Sequence, residues 1–368
     1  MLAPKTMVDL PELQRAPRIT NLRQAMSKTS IDSFMTSDRT SVRWLSGFTG
    51  SAGTLLVTDD TLLLLTDGRY GEQAPEETAG TEIELCVGDR NRHKQVIHHE
   101  LSRSATLALE ADRISWGEVE ELKEIVKVAL VPAKGLLSDL RKVKEPEEVA
   151  RLEAAATIAD KALAQVVLGL GDEPTESEFA RVLDHTMLEL GAESLSFETI
   201  CASGPNAALP HARPSTRTIR SGDLVILDFG AVIDGYHSDM SRTYAIGDVD
   251  QNRWDMLESV TAAQKHGCEI VRPGVKASEV DNACRSHLAK KNLSEYFVHG
   301  TGHGVGLEIH EAPWINSQSE DILEEFQVVT VEPGVYRPGI GGVRVEDTVL
   351  ITPSGHRRLT AAPKDPVI

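Results

Sequence analysis

Asp228 and Asp239 stand on either side of Asp234-Gly235 in the run DLVILDFGAVIDGYHSDMSRTYAIG. Between two strand-like runs, Asp-Gly marks a two-residue hairpin turn whose register sets Ile233 opposite Tyr236 and Gly230 opposite Asp239. Asp228 shares a face with Gly230, so the two aspartates are diagonal neighbours within side-chain reach. Asp is disfavoured inside strands and Asp228 follows the apolar LVIL, so such a pair is costly unless positive charge stands between its members. A metal ion supplies that charge. The plainer alternative is that Asp228 caps a turn and Asp239 pairs with Arg242. A second pair of carboxylates weighs against it. Glu332 lies near the end of QVVTVEP, and Glu346 lies in GGVRVEDTVLIT, where alternation puts Arg344, Glu346, Thr348 and Leu350 on one face. With a histidine of the glycine-rich FVHGTGHGVGLEIHE, these carboxylates make an oxygen and nitrogen donor set suited to a pair of divalent ions such as manganese, cobalt or zinc. The glycine stretch is not read as a phosphate loop, because the LEIHE that follows reads as a strand rather than as a helix that would hold an anion.

The elements that must position these residues are strands at 224–233, 236–246, 327–331 and 342–351, set among four helices. The first helix opens at Pro146 after the charge-dense connector 142–148 and runs through Val167. The second starts at a capping box of Thr175 and Glu178 and stops at Gly191, where a left-handed residue is needed. The third is expected over 249–271 and the fourth over 277–291. Before the connector the texture differs. Strand-like pieces broken by glycines (Trp44-Leu45, 54–57, 61–66 and DGRY) lead to a strand at 106–111, a helix at 116–129 and a strand at 130–132, which together read as a mixed sheet with helices. The boundary between two domains falls near residue 140.

Bulk properties narrow the function further. The chain has 368 residues, 40% apolar and 26% charged, and a formal charge of −18, which repels a phosphate backbone and argues against nucleic acid as a partner. Charged residues from Lys5 to Arg23 break the first thirty positions, leaving no apolar run of signal-peptide length, and runs such as 62–65 are far shorter than the roughly 20 residues that span a bilayer. No export and no membrane partner are expected, and the cytoplasm is the expected compartment. Cys86, Cys201, Cys268 and Cys284 have no CxxC spacing and read as reduced structural cysteines. His98 and His99 read as a solvated helix face, and Tyr236 as a hairpin residue that could also support the site.

Asp228, Asp239, His303, Glu332 and Glu346 occur in the order and within the motifs of the pita-bread metallopeptidases, which include Xaa-Pro dipeptidase (prolidase), aminopeptidase P and methionine aminopeptidase. SDMSRT, HGTGHGVGLEIHE, VEPGVY and GGVRVED resemble the motifs of the Xaa-Pro enzymes, and GFTGSAGTLLVTDDTLLLLTDGRYGEQA resembles their non-catalytic companion domain, which methionine aminopeptidases generally lack. The resemblance implies an α+β protein, with a pita-bread catalytic domain over 140–368 preceded by a smaller mixed α/β creatinase/prolidase-like domain over 1–139. It implies two divalent ions per subunit, manganese first and cobalt or zinc as alternatives. Asp228 would chelate one ion, His303 and Glu332 the other, and Asp239 and Glu346 would bridge them. Glu332 would also shuttle the proton, while His211, His299 and His310 would bind the developing oxyanion, steady the leaving nitrogen and wall the proline pocket. Arg344, on the face of Glu346, would either orient a metal carboxylate or hold an anionic substrate end. The implied reaction is hydrolysis of the Xaa-Pro bond in proline-containing di- or oligopeptides by a homodimer, favoured as a dipeptidase with an aminopeptidase acting on longer peptides as the alternative. Because all five ligand positions are filled, a metal-free creatinase-like enzyme and a non-catalytic binding protein rank lower.

Overall fold

The computed structural model describes residues 9–365 and 367–368; the first eight residues, Lys5 among them, and Pro366 lie outside the described residues. Two compact units emerge: Leu13–Arg141, and Lys142–Ile368 together with the residues up to Glu12. Residues 9–12, which the sequence reading groups with the first domain, belong to the second unit. There Pro11 accepts a 2.8 Å hydrogen bond from Arg151, and Leu10 packs on the core.

In Leu13–Arg141 six strands form one mixed sheet in the order Glu84–Val87, Leu62–Thr66, Gly53–Thr58, Ser33–Thr36, Thr106–Glu110 and Ala129–Ala133. Leu62–Thr66 is buried throughout, as an apolar run covered on both faces must be. Two pieces expected as strands are not strands. Trp44 and Leu45 lie in the helix Arg39–Ser46, which starts where the Asp38 carboxylate accepts the Ser41 N–H and stops at Gly47 with φ 80°. DGRY folds as the single turn Gly68–Tyr70, capped by Asp67. The helix expected to reach Ala129 ends at Ile125, and Ala129 opens the edge strand instead. His98 and His99 are exposed on the helix Arg90–Glu100.

The second unit contains two layers of the same kind, each a pair of helices on sheet. Pro146–Val166 and Glu176–Glu189 share a core with Leu224–Phe229, Ala231–Ile233 and Met240–Ala245. Gln251–Ile270 and Ala277–Ala289 share another with Val328–Val331, Gly341–Arg344 and Asp347–Thr352. The helix signals act as their chemistry requires. Pro146 occupies the first turn, Thr175 and Glu178 close their capping box, and Gly191 takes φ 110°. By length and composition alone Pro146–Asp172 could cross a membrane, with a mean hydropathy of 1.3. Its alanine-rich face supplies that value and is spent inside the unit, where Glu148 and Arg151 are buried beside it. It is a core helix. Glu148 accepts the Tyr236 hydroxyl at 2.8 Å, which ties the hairpin to the helix Pro146–Val166. All four cysteines are buried and free.

Candidate metal centre

The hairpin keeps one register from its turn to its base: Ile233 pairs with Tyr236, Val232 with His237, Phe229 with Met240 and Asp228 with Ser241. Gly230 and Asp239 therefore fall opposite each other. The ladder is broken at that point, because the strands leave one three-stranded sheet and enter another. Gly230 permits the crossing, since a Cβ there would stand 1.9 Å from the Ser238 carbonyl oxygen. The expected strand 342–351 breaks in the same way between Arg344 and Asp347. Asp239 and Glu346 thus occupy strand interruptions, where a side chain can leave the pleat. Their backbones are tied to neighbouring strands: the Glu346 N–H donates to Ser241 O at 3.1 Å, and Thr348 Oγ1 donates to Asp239 O at 2.7 Å. Carboxylate oxygens of Asp228, Asp239 and Glu346 lie within 4.8 Å of one another.

His303 sits in the short strand Gly302–Gly304. A Cβ at Gly302 would meet Thr330 O at 2.1 Å and one at Gly304 would meet Ala312 O at 2.3 Å, so both glycines admit a close backbone approach. LEIHE, expected as a strand, is instead a run of bends through His310, with the next strand opening at Glu311. The glycine-rich chain turns there, shifting register between Gly302 and Gly304. No helix follows, so no anion-holding N-terminus arises. The His303 Nδ1–H, assigned from the hydrogen-bond network, donates to Gly304 O at 3.0 Å, which directs Nε2 towards Glu332 Oε1 at 3.3 Å and Asp239 Oδ2 at 3.5 Å.

Charge is distributed unevenly in this cluster. Burial, then the Asp228 charge, pushes the Asp239 carboxyl well above its usual range. Burial, then Asp239, does the same to Glu346. Burial opposes the charge of His303, yet Glu332 and Asp239 outweigh it and raise the imidazole to about 9. Burial would also raise Glu332, but its bond to His303 holds it down at about 2. Without a cation, burial and mutual repulsion favour the protonated form of Asp239 and Glu346, while His303 and Glu332 favour each other's charge.

Arg344 is buried beneath Asp228. It donates to Asp228 Oδ2 at 2.5 Å, Tyr336 Oη at 2.7 Å, Ser241 Oγ at 2.9 Å and Pro210 O at 3.0 Å. Of the two roles open to it, this geometry serves orientation of a carboxylate. Tyr336 in turn meets His299 Nε2 at 2.9 Å, while His299 Nδ1 meets Gly300 O at 2.7 Å. His310 stacks edge-on against His303 at 4.4 Å between centroids. Arg344, His299, His303 and His310, together with His211, line one cavity of about 600 Å³ with Asp228, Asp239 and Glu332 in its wall. Glu346 lies against the cluster without lining the cavity. Arg242 pairs with Asp347 at 2.9 Å, not with Asp239. Sequence reasoning passed over Tyr336, Trp314 and Arg213. Tyr336 had a signal, its alternation from Gly334 in VEPGVY; the other two only reach the cavity through folding.

Asp228 Oδ1 and Glu346 Oε1 are buried with no hydrogen-bond partner. Four carboxylates, one imidazole nitrogen aimed among them and one arginine leave an excess of oxygen donors that a cation would satisfy, so the donor set fits divalent metal.

The family model for metallopeptidase family M24 matches residues 150–353, and that for the creatinase/prolidase N-terminal domain matches 18–143. The chain belongs to metallopeptidase family M24. This M24 chain is 36% identical over 349 residues to the Xaa-Pro dipeptidase of Pyrococcus furiosus, covering 95% of this chain and 99% of the relative. The Xaa-Pro dipeptidase from Bacillus anthracis has a similar structure, with a TM-score of 0.92 at 36% identity over 96% of this chain and 100% of that one. The X-Pro aminopeptidase from Thermotoga maritima gives a TM-score of 0.86 at 32% identity, over 95% and 99%. The α+β fold expected from the motifs, with a companion domain ahead of a catalytic one, is thereby established.

Proposed function

We propose that this metallopeptidase hydrolyses the peptide bond preceding proline, with Xaa-Pro dipeptides as the favoured substrates. The observation that carries the reading is the convergence of Asp228, Asp239, His303, Glu332 and Glu346, with two buried carboxylate oxygens left without partners. Asp228 would hold one ion, His303 and Glu332 the other, and Asp239 and Glu346 both. Manganese is the first expectation for this set, with cobalt or zinc as alternatives. When bound, a pair of divalent ions lowers the pKa of water and polarises a carbonyl. The chain's own groups do the rest. Glu332 takes a proton from the attacking water and passes it towards the leaving nitrogen, a role its place in the cavity wall beside the other carboxylates suits. His310 and His211 stand exposed on the cavity wall, where an N–H can stabilise the developing oxyanion. His299 has both nitrogens engaged, so it would contribute chiefly through Tyr336 and as a wall of the proline pocket.

The same reading includes a homodimer in the cytoplasm and a division of labour between a companion domain over 1–139 and a catalytic domain over 140–368. The second reading is an aminopeptidase acting on longer peptides, and one observation favours it. Arg344 is buried and donates to four protein partners, so among the described residues the other arginine in the cavity wall is the exposed Arg213, itself 3.2 Å from Glu198. A dipeptide's carboxylate would have to be met there or at His211. The deciding assay compares Ala-Pro, Ala-Pro-Ala and Ala-Ala under saturating manganese. Ala-Pro should be cleaved fastest and Ala-Ala poorly; a clear preference for Ala-Pro-Ala would install the second reading. A chain that neither binds nor is activated by any divalent metal would refute both.

A further inference from the structure

Arg242 and Asp347 each follow a residue of the carboxylate face, Ser241 and Glu346, by one position, and neither lines the cavity. Both are buried. Asp347 faces three cations: Arg242 at 2.9 Å, Arg358 at 3.7 Å, and Lys364, which donates to its other oxygen. Arg242 has further work. Its Nη1 donates to the carbonyl of Glu346 and, at 2.9 Å, to that of Ser241, while Nη2 donates to Ala362 O at 2.7 Å. One guanidinium therefore grips the strand Met240–Ala245, the backbone of Glu346 and the segment 359–365.

That segment is anchored on both layers of the unit. Asp160, on the helix Pro146–Val166, accepts the N–H groups of Ala361 and Ala362 at 2.7 Å each. Lys364 donates at 2.6 Å to Gln264 of the helix Gln251–Ile270. Thr360 Oγ1 bonds Asp347 Oδ1 at 3.3 Å and accepts the Thr348 N–H at 3.2 Å. A buried ion pair that only stabilised the fold would not need to be joined to the carbonyl of a metal-facing glutamate on one side and to a separate segment on the other.

We propose that Arg242, Asp347 and Lys364 are positioning residues for the metal centre, through which the segment 359–365 fixes the direction of Glu346 and so sets the chain's affinity for divalent metal. This rests on the metal-site reading above. Residues that orient a ligand from behind typically change metal affinity by about 10- to 100-fold when altered.

The test is calorimetric titration of metal-stripped protein with Mn2+ at 25 °C, for the parent, Lys364→Met and Lys364→Arg. Lys364 is 22% exposed, so its replacement leaves the core filled. Lys364→Met should bind Mn2+ about tenfold more weakly, and Lys364→Arg, which keeps the charge, should return to within about threefold of the parent. A Lys364→Met protein within about twofold of the parent would overturn the proposal, as would Lys364→Arg binding no better than Lys364→Met. Should Lys364→Met fail to fold, Thr360→Val removes two of the segment's bonds without touching a charge. It is expected to weaken binding about threefold, and an unchanged affinity there overturns the proposal equally. If the parent itself takes up no divalent ion, the metal-site reading fails and this inference falls with it.

Discussion

Replacing Arg344 by methionine separates the two jobs that a cation under Asp228 can do. In the metal-free protein, Arg344 is the charge that opposes the effect of burial on Asp228. Removing one partner of a buried pair costs about 3–5 kcal/mol. Burial already raises the Asp228 carboxyl, so it can protonate once the arginine is gone, and this caps the loss near the lower bound of about 3 kcal/mol. With metal bound, the ion supplies charge to Asp228. What remains is the lost donation to Tyr336 Oη, Ser241 Oγ and Pro210 O, about 1–2 kcal/mol together at about 0.5 kcal/mol each. A unit of this size shifts its Tm by about 2–4 °C per kcal/mol. The metal-stripped variant should therefore melt about 6–12 °C below the metal-stripped parent, and the manganese-loaded variant only about 2–8 °C below the loaded parent. Thermal denaturation followed by circular dichroism, with chelator and with saturating Mn2+, reads both differences. Equal shifts in the two conditions would refute the reasoning, because they would mean that Arg344 contributes packing and hydrogen bonds but no charge that metal can replace.

Asp239→Ala and Glu346→Ala should each abolish turnover and lower bound metal while leaving the far-ultraviolet spectrum intact; parental activity with unchanged metal content in either would remove the shared-ligand assignment. His310→Ala should keep its metal and lose about 100-fold in kcat, the scale of one oxyanion donor; loss of metal as well, read by plasma mass spectrometry, would make it a support of His303 instead. The pH behaviour should invert on metal loading. In the metal-free chain Asp239 and Glu346 are raised above their unfolded values, so the native state holds extra protons and loses stability as pH climbs above about 4. The His303 contribution is full below 6.5 and lost as pH rises through about 9. The metal-stripped Tm should thus fall between pH 6.5 and 9, while Mn2+ uptake at pH 7 should release at least one proton, measured as a heat that depends on the buffer's ionisation enthalpy. A heat independent of buffer would contradict the protonated His303 imidazole.

The hairpin was readable from the chain because a two-residue Asp-Gly turn fixes every pair behind it, down to Asp228 opposite Ser241. That local rule put Asp228 beside Asp239 before any tertiary information was needed. The strand breaks at Gly230 and Val345 were not readable: alternation continues through them, and only the switch of partner sheet ends the ladder. LEIHE failed for a related reason, since its bends follow from how closely Gly302 and Gly304 approach other backbones. Trp44 and Leu45 carried a helix signal that β-propensity hid, the Asp38 cap and the Gly47 stop. Arg242 pairs with Asp347 across more than a hundred positions, and its nearest sequence candidate, Asp239, was the wrong partner.

The placement of Asp239 and Glu346 at strand interruptions also bears on when the centre can come into being during folding. Asp228 and Asp239 belong to a hairpin that closes locally, whereas His303, Glu332 and Glu346 lie beyond the helices Gln251–Ile270 and Ala277–Ala289 in the chain. Closing that loop costs chain entropy before any ligand from the second group can repay it. Chain entropy therefore works against a divalent ion gathering its donors early. An ion bound after that closure would act as a late lock, slowing the native state's unfolding more than it speeds its formation.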